Sequence, residues 1–183
     1  KASVASGRIG DIKLVRADLS SFCPYNPDNP YDRFYSNSLG GGSLLDLGVY
    51  PLTFACDFLG YKPKETVTNA YIGKSNVDYD ASLLLRYENG KFACIIGDKG
   101  RIVFGNWFFC TCSVKLYDEL GNLVAEPLIT HDCNGYEYEV REVERCLDEN
   151  KKQSDINPLW QTRAVLEIMD NCRKQWNLKF DGE

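Results

Sequence analysis

The pattern of apolar and polar positions divides the chain into strand-like and helix-like stretches. Over residues 11–20 (DIKLVRADLS), Val15, Ala17 and Leu19 alternate with more polar neighbours, which predicts a first strand. The pattern is lost over 21–42, a stretch rich in Pro, Asn, Asp, Gly and Ser that reads as a long loop. Loops of that length inside a compact domain are usually functional. Residues 43–59 are apolar nearly all round, the mark of a helix buried on most sides. Pro51 interrupts this helix, and an interior proline costs about 3 kcal/mol. A kink or irregular turn is therefore expected between Gly48 and Pro51.

Strand patterns then come in quick succession. One covers 65–72. Two more, 81–87 and 92–96, flank Asn89-Gly90, a strong hairpin turn signal. A short one at 102–104 is entered through 97–100, and 113–118 with 123–128 flank Gly121-Asn122. Helical spacing returns near the end of the chain. Over 136–149 the apolar set is Tyr136, Val140, Val143, Cys146 and Leu147. Over 159–176, Val165, Ile168, Met169, Cys172 and Trp176 share one face, and Asn157-Pro158 supplies a cap and a first-turn proline. Grouped strands and segregated helices predict one α+β domain over 1–183. Its architecture would be an open, mostly antiparallel sheet with helices on one face.

Composition narrows the function. Apolar residues make up 44% and charged residues 26%, as in an ordinary globular protein. No run approaches the roughly 20 apolar residues of a membrane span, and no signal-peptide pattern opens the chain. Net charge is −5 with scattered cations, which argues against a nucleic-acid partner. The eight cysteines form no CxxC pair and His131 is the single histidine, so no metal site is expected. Cys56, Cys94, Cys146 and Cys172 fall where a core belongs. Reduced thiols in a cytoplasmic protein are the expectation. Cys110 and Cys112 would share a strand face as adjacent buried thiols, and His131, in a polar loop, would have a surface or capping role. The chain starts at Lys1 and its only methionine is Met169, so it reads as a fragment or a processed product.

The helix at 43–59 carries the candidate chemistry. At about 100° per residue, Asp46, Tyr50, Thr53 and Asp57 fall within a sector of about 60°. This polar seam either faces water and internal hydrogen bonds, or its upper end, Asp46 and Tyr50, lines a pocket beside the 21–42 loop. A phenol can exchange a proton, but its ordinary pKa of about 10 needs a nearby cation to act as a base near neutrality. A carboxylate one turn away can orient it or bond a substrate hydroxyl.

GGGSLLDLGVYPLTFA resembles the signature of the glucose–fructose oxidoreductase / inositol dehydrogenase / MocA family, in its C-terminal domain. SGRIGDIKLVRADLS, YENGKFA, GDKGRIVF and GYEYEVREVERCL resemble further family segments in the family's order, and Arg33 in YDRF sits where members often have an arginine. The resemblance implies a C-terminal domain like that of glyceraldehyde-3-phosphate dehydrogenase, which binds a sugar-like or polyol substrate. It also implies a homodimer or homotetramer built through the open sheet face. An N-terminal Rossmann domain, absent from this chain, would bind NAD or NADP. By the same resemblance, Tyr50 is the general acid/base and Asp46 its catalytic partner, and Arg33 is a substrate contact. The lysine that lowers the tyrosine pKa lies in a Glu-Lys-Pro motif of the absent domain. The implied reaction moves a hydride between nicotinamide and a hydroxyl-bearing carbon of a sugar, cyclitol or dihydrodiol. A non-catalytic ligand-binding or dimerisation module of the same fold is the alternative. Family members usually have more residues between the NGKFA-like strand and the GDKG-like turn, so either the connection from Cys94 to Gly97 is short or residues are missing near Cys94, which leaves the local strand count open.

Overall fold

The computed structural model describes residues 2–26, 29, 32–87, 92–93, 96–105 and 111–183. In chain order the elements are a single helical turn, α1 (Ala2–Ala5), then β1 (Ile12–Val15), a 3-10 turn (Asn37–Leu39) and a π-helical turn (Leu44–Gly48) that runs into α2 (Val49–Leu59). There follow β2 (Glu65–Ile72), β3 (Asp78–Arg86), β4 (Phe92–Ala93), β5 (Ile96–Gly97), β6 (Gly100–Phe104), β7 (Val114–Asp118), β8 (Leu123–Ala125), α3 (Glu137–Asp148) and α4 (Leu159–Gln175). The class is α+β with antiparallel strands, as the sequence pattern predicts. The chain folds as two compact units, Lys1–Leu14 with Ile95–Arg163, and Val15–Cys94 with Ala164–Glu183.

The second of these units holds the larger core. Residues 65–72 (ETVTNAYI) are rich in β-branched and aromatic side chains and alternate strictly in burial. β2 pairs with β3 from Glu65↔Arg86 to Tyr71↔Asp80, and Ile72 then pairs with Asp78. Tyr79 is thus an extra residue on β3, a bulge that reverses the alternation beyond it. Leu85 and Tyr87 pack with Leu44, Leu52 and Cys56 and with the α4 residues Val165, Ile168, Met169 and Cys172. Burying each such side chain contributes about 1.5–3 kcal/mol. The predicted face of α4 is therefore the observed one.

The other unit is a run of hairpins. β5 and β6 turn at Gly97↔Gly100, β6 and β7 pair from Gly100↔Asp118 to Phe104↔Val114, and β7 and β8 close around Gly121-Asn122. Asp118 holds that last turn, with Oδ1 accepting the Leu120 and Asn122 N–H groups at 2.9 and 2.8 Å.

Several expectations change. The first strand stops at Val15. Burial still alternates through residue 20, but Ala17, Asp18, Leu19 and Ser20 line a cavity instead of a strand ladder. Among the described residues the strands fall into two sheets, one of them made of β2 and β3. α3 has helical periodicity but no buried residue, and Tyr136, Val140, Val143 and Leu147 are all exposed. Asn157 does not cap α4, because the Leu159 N–H goes to Gln153 Oε1 at 3.2 Å. His131 is half-buried, with both ring nitrogens buried and lacking hydrogen-bond partners, and its ring stands edge-on to Tyr138. Cys56 and Cys172 are buried free thiols as expected, whereas Cys112 is exposed. The Asn89-Gly90 turn, Cys94 and Cys110 lie outside the described residues.

Candidate active site

The site grows from the triple glycine. The N–H groups of Gly40, Gly41 and Gly42 donate to the carbonyls of Asn37, Ser36 and Phe34. This folds the end of the long loop back on itself. A Cβ at Gly41 would lie 2.6 Å from the Arg33 carbonyl oxygen, and one at Gly42 would lie 2.2 Å from Asp78 Oδ1. Gly42 also has a φ of 117°, so only glycine serves there. Asn37 anchors the loop from below. Its Nδ2 donates to the Asn76 and Lys179 carbonyls at 2.7 and 2.9 Å, and its Oδ1 accepts the Asp181 N–H at 2.7 Å.

The turn that follows is π-helical, which suits Pro51. Proline offers no N–H to the helix ladder, and a wider turn ahead of it re-aims the carbonyls it would otherwise orphan. The irregularity thus lies at Leu44–Gly48, just before the expected place. A π turn also shifts the register by about one residue relative to an α turn. The four-residue seam is therefore not one line. Asp57, at its lower end, accepts the Tyr61 hydroxyl at 2.5 Å.

Arg33 and Asp46 meet. Arg33 Nη1 donates to Asp46 Oδ1 at 2.7 Å, and its guanidinium lies over the Phe34 ring, 4.3 Å from the centroid. The Asp46 side chain is only 21% exposed and that of Arg33 66%. Asp46 lines a cavity of about 340 Å³ with Leu19, Cys23, Tyr35, Asp78 and Tyr79. A neighbouring cavity shares Leu19, Ser20, Ser43, Asp80 and Ala81 and extends past Gly48 and Pro51. Tyr50 stands one turn beyond Asp46, is 43% exposed and lines neither of these two cavities.

Three features of the site escaped sequence reasoning. Asp78 is 1% exposed, and its Oδ2 accepts the Leu44 N–H at 2.6 Å. Burial pushes its carboxyl up to about 6, against the lowering pull of its backbone hydrogen bonds and of Arg173, with Asp80 adding to the rise. The rings of Tyr25, Tyr35 and Tyr79 pack mutually, with centroids 4.8 to 5.7 Å apart. Burial raises the Tyr35 phenol, and its hydroxyl donates to the Cys23 carbonyl. Asn37 is the third. Its place in a loop rich in polar residues carried no signal.

The model of the GFO/IDH/MocA C-terminal domain matches residues 1–102, more than half of the chain. The chain belongs to the GFO/IDH/MocA C-terminal domain family. It is 26% identical to human trans-1,2-dihydrobenzene-1,2-diol dehydrogenase over 200 residues, covering 98% of this chain and 58% of that protein. To the Xenopus laevis protein of the same name it is 27% identical over 191 residues, covering 94% and 56%. The chain thus spans somewhat more than half the length of these curated relatives. Its fold resembles that of KijD10, a 3-ketoreductase from Actinomadura kijaniata solved with NADP and TDP-benzene. The TM-score is 0.67 at 19% identity, over 94% of this chain and 56% of that one.

Proteins named dehydrogenase and ketoreductase raise the question of a nicotinamide. The glycine turn does not fit one, because its three N–H groups are already bonded to main-chain carbonyls and leave no free cradle for a pyrophosphate. Among the described residues no group of three or more His, Cys, Asp or Glu is placed to hold a metal ion. No helix among them is long and apolar enough to cross a membrane.

Proposed function

We propose that this chain is the substrate-binding and catalytic half of an NAD(P)-dependent oxidoreductase acting on a hydroxyl-bearing carbon of a sugar, cyclitol or dihydrodiol. One observation carries the reading. Asp46, gripped by Arg33, stands on a cavity wall with Tyr50 one turn along, on the family's glycine-led segment. The nicotinamide, NAD or NADP, supplies the hydride chemistry and is held by a dinucleotide domain outside this chain. The relatives' greater length supports that division.

The residues of this chain handle hydroxyls and protons. Asp46 keeps one carboxylate oxygen on Arg33 and offers the other to a substrate hydroxyl. Tyr50 exchanges the hydroxyl proton. Its exposed position leaves it accessible to a substrate and to a cation from another domain. Val67, Tyr71 and Leu84 form an exposed apolar set on one face of β2–β3, which supports self-association as a homodimer or homotetramer. Six free cysteines among the described residues support a reducing, cytoplasmic setting.

The test is Tyr50→Phe in the full-length protein, assayed with benzene trans-dihydrodiol and either nicotinamide. Loss of an acid/base group lowers kcat by about 100-fold or more, with the circular dichroism spectrum unchanged. Turnover within about tenfold of wild type would refute the role of Tyr50. A wild-type protein that binds the diol without turnover would point instead to the non-catalytic module.

A further inference from the structure

We propose that Asp78 is a positioning residue for the candidate site, its ionised carboxylate fixing the first turn of the helical run on which Asp46 stands. The proposal rests on the reading of Asp46 as a site residue. The N–H groups that open a helix need acceptors, and the Leu44 N–H finds none in a side-chain cap. Ser43, directly ahead of Leu44, makes no side-chain cap. The acceptor comes from β3 instead, 34 residues along the chain, where Asp78 Oδ2 takes the Leu44 N–H at 2.6 Å. Asp46 is two residues further on, and its own N–H is bonded to the Gly42 carbonyl at 3.2 Å. Asp78 thus sets the position of the turn between the glycines and the site, and it lines the same cavity as Asp46.

The second carboxylate oxygen makes the anchor adjustable. Asp78 Oδ1 is buried without a hydrogen-bond partner, beside the Cα of Gly42. A proton can settle there without breaking an existing bond. A charge-assisted hydrogen bond is roughly twice as strong as a neutral one, so protonation slackens the hold on Leu44 and on the turn carrying Asp46. The groups around Asp78 pull both ways. From α4, Arg173 favours the ionised form and the buried Cys172 thiol lies within electrostatic reach. Asp80 on the same strand opposes ionisation. Asp46 and Tyr79 share the cavity wall. Burial raises the carboxyl to about 6, which brings the change close to neutral pH.

The test is an NMR titration of the full chain from about pH 4.5 to 8, a range that brackets the raised carboxyl. It follows the Asp78 and Asp46 carboxyl carbons and the Leu44 amide. The expected result is a single midpoint near pH 6 shared by Asp78 and Leu44, with an inflection of Asp46 at the same midpoint. In Asp78→Asn the Leu44 and Asp46 inflections at that midpoint disappear. An Asp46 carbon with no inflection shared with Leu44 would overturn the proposal, as would inflections that survive in Asp78→Asn. Should that variant fail to fold, the wild-type titration decides alone by whether the midpoint is shared. No substrate enters the measurement. It therefore stands or falls separately from the turnover test on Tyr50.

Discussion

Replacing Asp78 by asparagine removes a buried charge and keeps an oxygen for the Leu44 N–H. The carboxyl ordinarily titrates near 3.8 and is raised to about 6 in the folded chain, chiefly by burial. Between about pH 4 and 6 the folded chain therefore holds a proton that the unfolded chain has released. Stability falls as pH rises through this window and levels off above it. The full difference corresponds to about 3 kcal/mol at neutral pH, a large part of the roughly 5–15 kcal/mol that holds a domain folded. Asparagine mimics the protonated form at every pH, although its amide N–H₂, placed where Oδ1 now lacks a partner, offsets about 1 kcal/mol or more. Asp78→Asn is thus expected to be more stable than wild type by about 1–3 kcal/mol at pH 7, and less stable than it by about 1 kcal/mol near pH 4. Urea unfolding followed by tryptophan fluorescence across that range measures both limits. A variant that is less stable at pH 7, or a difference that does not change with pH, would refute the claim that burial dominates at this site.

Asn37→Asp exchanges two donors for an acceptor and sets it against the Asn76 and Lys179 carbonyls. A loss of about 2–5 kcal/mol is expected in urea unfolding, with faster limited proteolysis of the C-terminal tail; a loss under about 1 kcal/mol would show that the network carries no load. Arg33→Ala breaks a pair whose arginine is two-thirds exposed, so stability should change by less than about 1 kcal/mol. In the dihydrodiol assay KM should still rise about tenfold, the worth of one charge-assisted hydrogen bond to Asp46. Equal losses of stability and activity would make Arg33 a structural residue.

Local signals succeeded where one face of an element meets a core. β2 was legible to the residue because Glu65–Ile72 alternates without interruption. The buried face of α4 was legible because Val165, Ile168, Met169 and Cys172 repeat at helical spacing and have a sheet and α2 to pack against. α3 shows the limit of the same rule. Its apolar residues repeat just as regularly, yet they remain exposed, because periodicity names a face and not what covers it. Residues 16–20 show another limit. They alternate like a strand, but alternation cannot supply a partner for hydrogen bonding, and the segment lines a cavity instead.

The site divides along the same line. Asp46 and Tyr50 are close in sequence, so their turn-to-turn spacing was visible from the chain alone. The Arg33–Asp46 bond spans 13 residues and follows from how the glycines fold the loop back. Asp78 was not legible, because the strand pattern was read only from residue 81 and β3 begins at Asp78. Without the bulge at Tyr79 it would share the outward face of β3 with Asp80, Ser82 and Arg86. One extra residue turns it inward, under Gly42 and onto Leu44. A carboxylate drawn into the interior by a bulge, at a cost of about 3 kcal/mol when ionised, conflicts with every local preference. Such a conflict persists where the position of a neighbour depends on it. The neighbour here is the turn that carries Asp46. A strand bulge and a helix cap belong to different parts of the chain, and only the fold brings them to one carboxyl group.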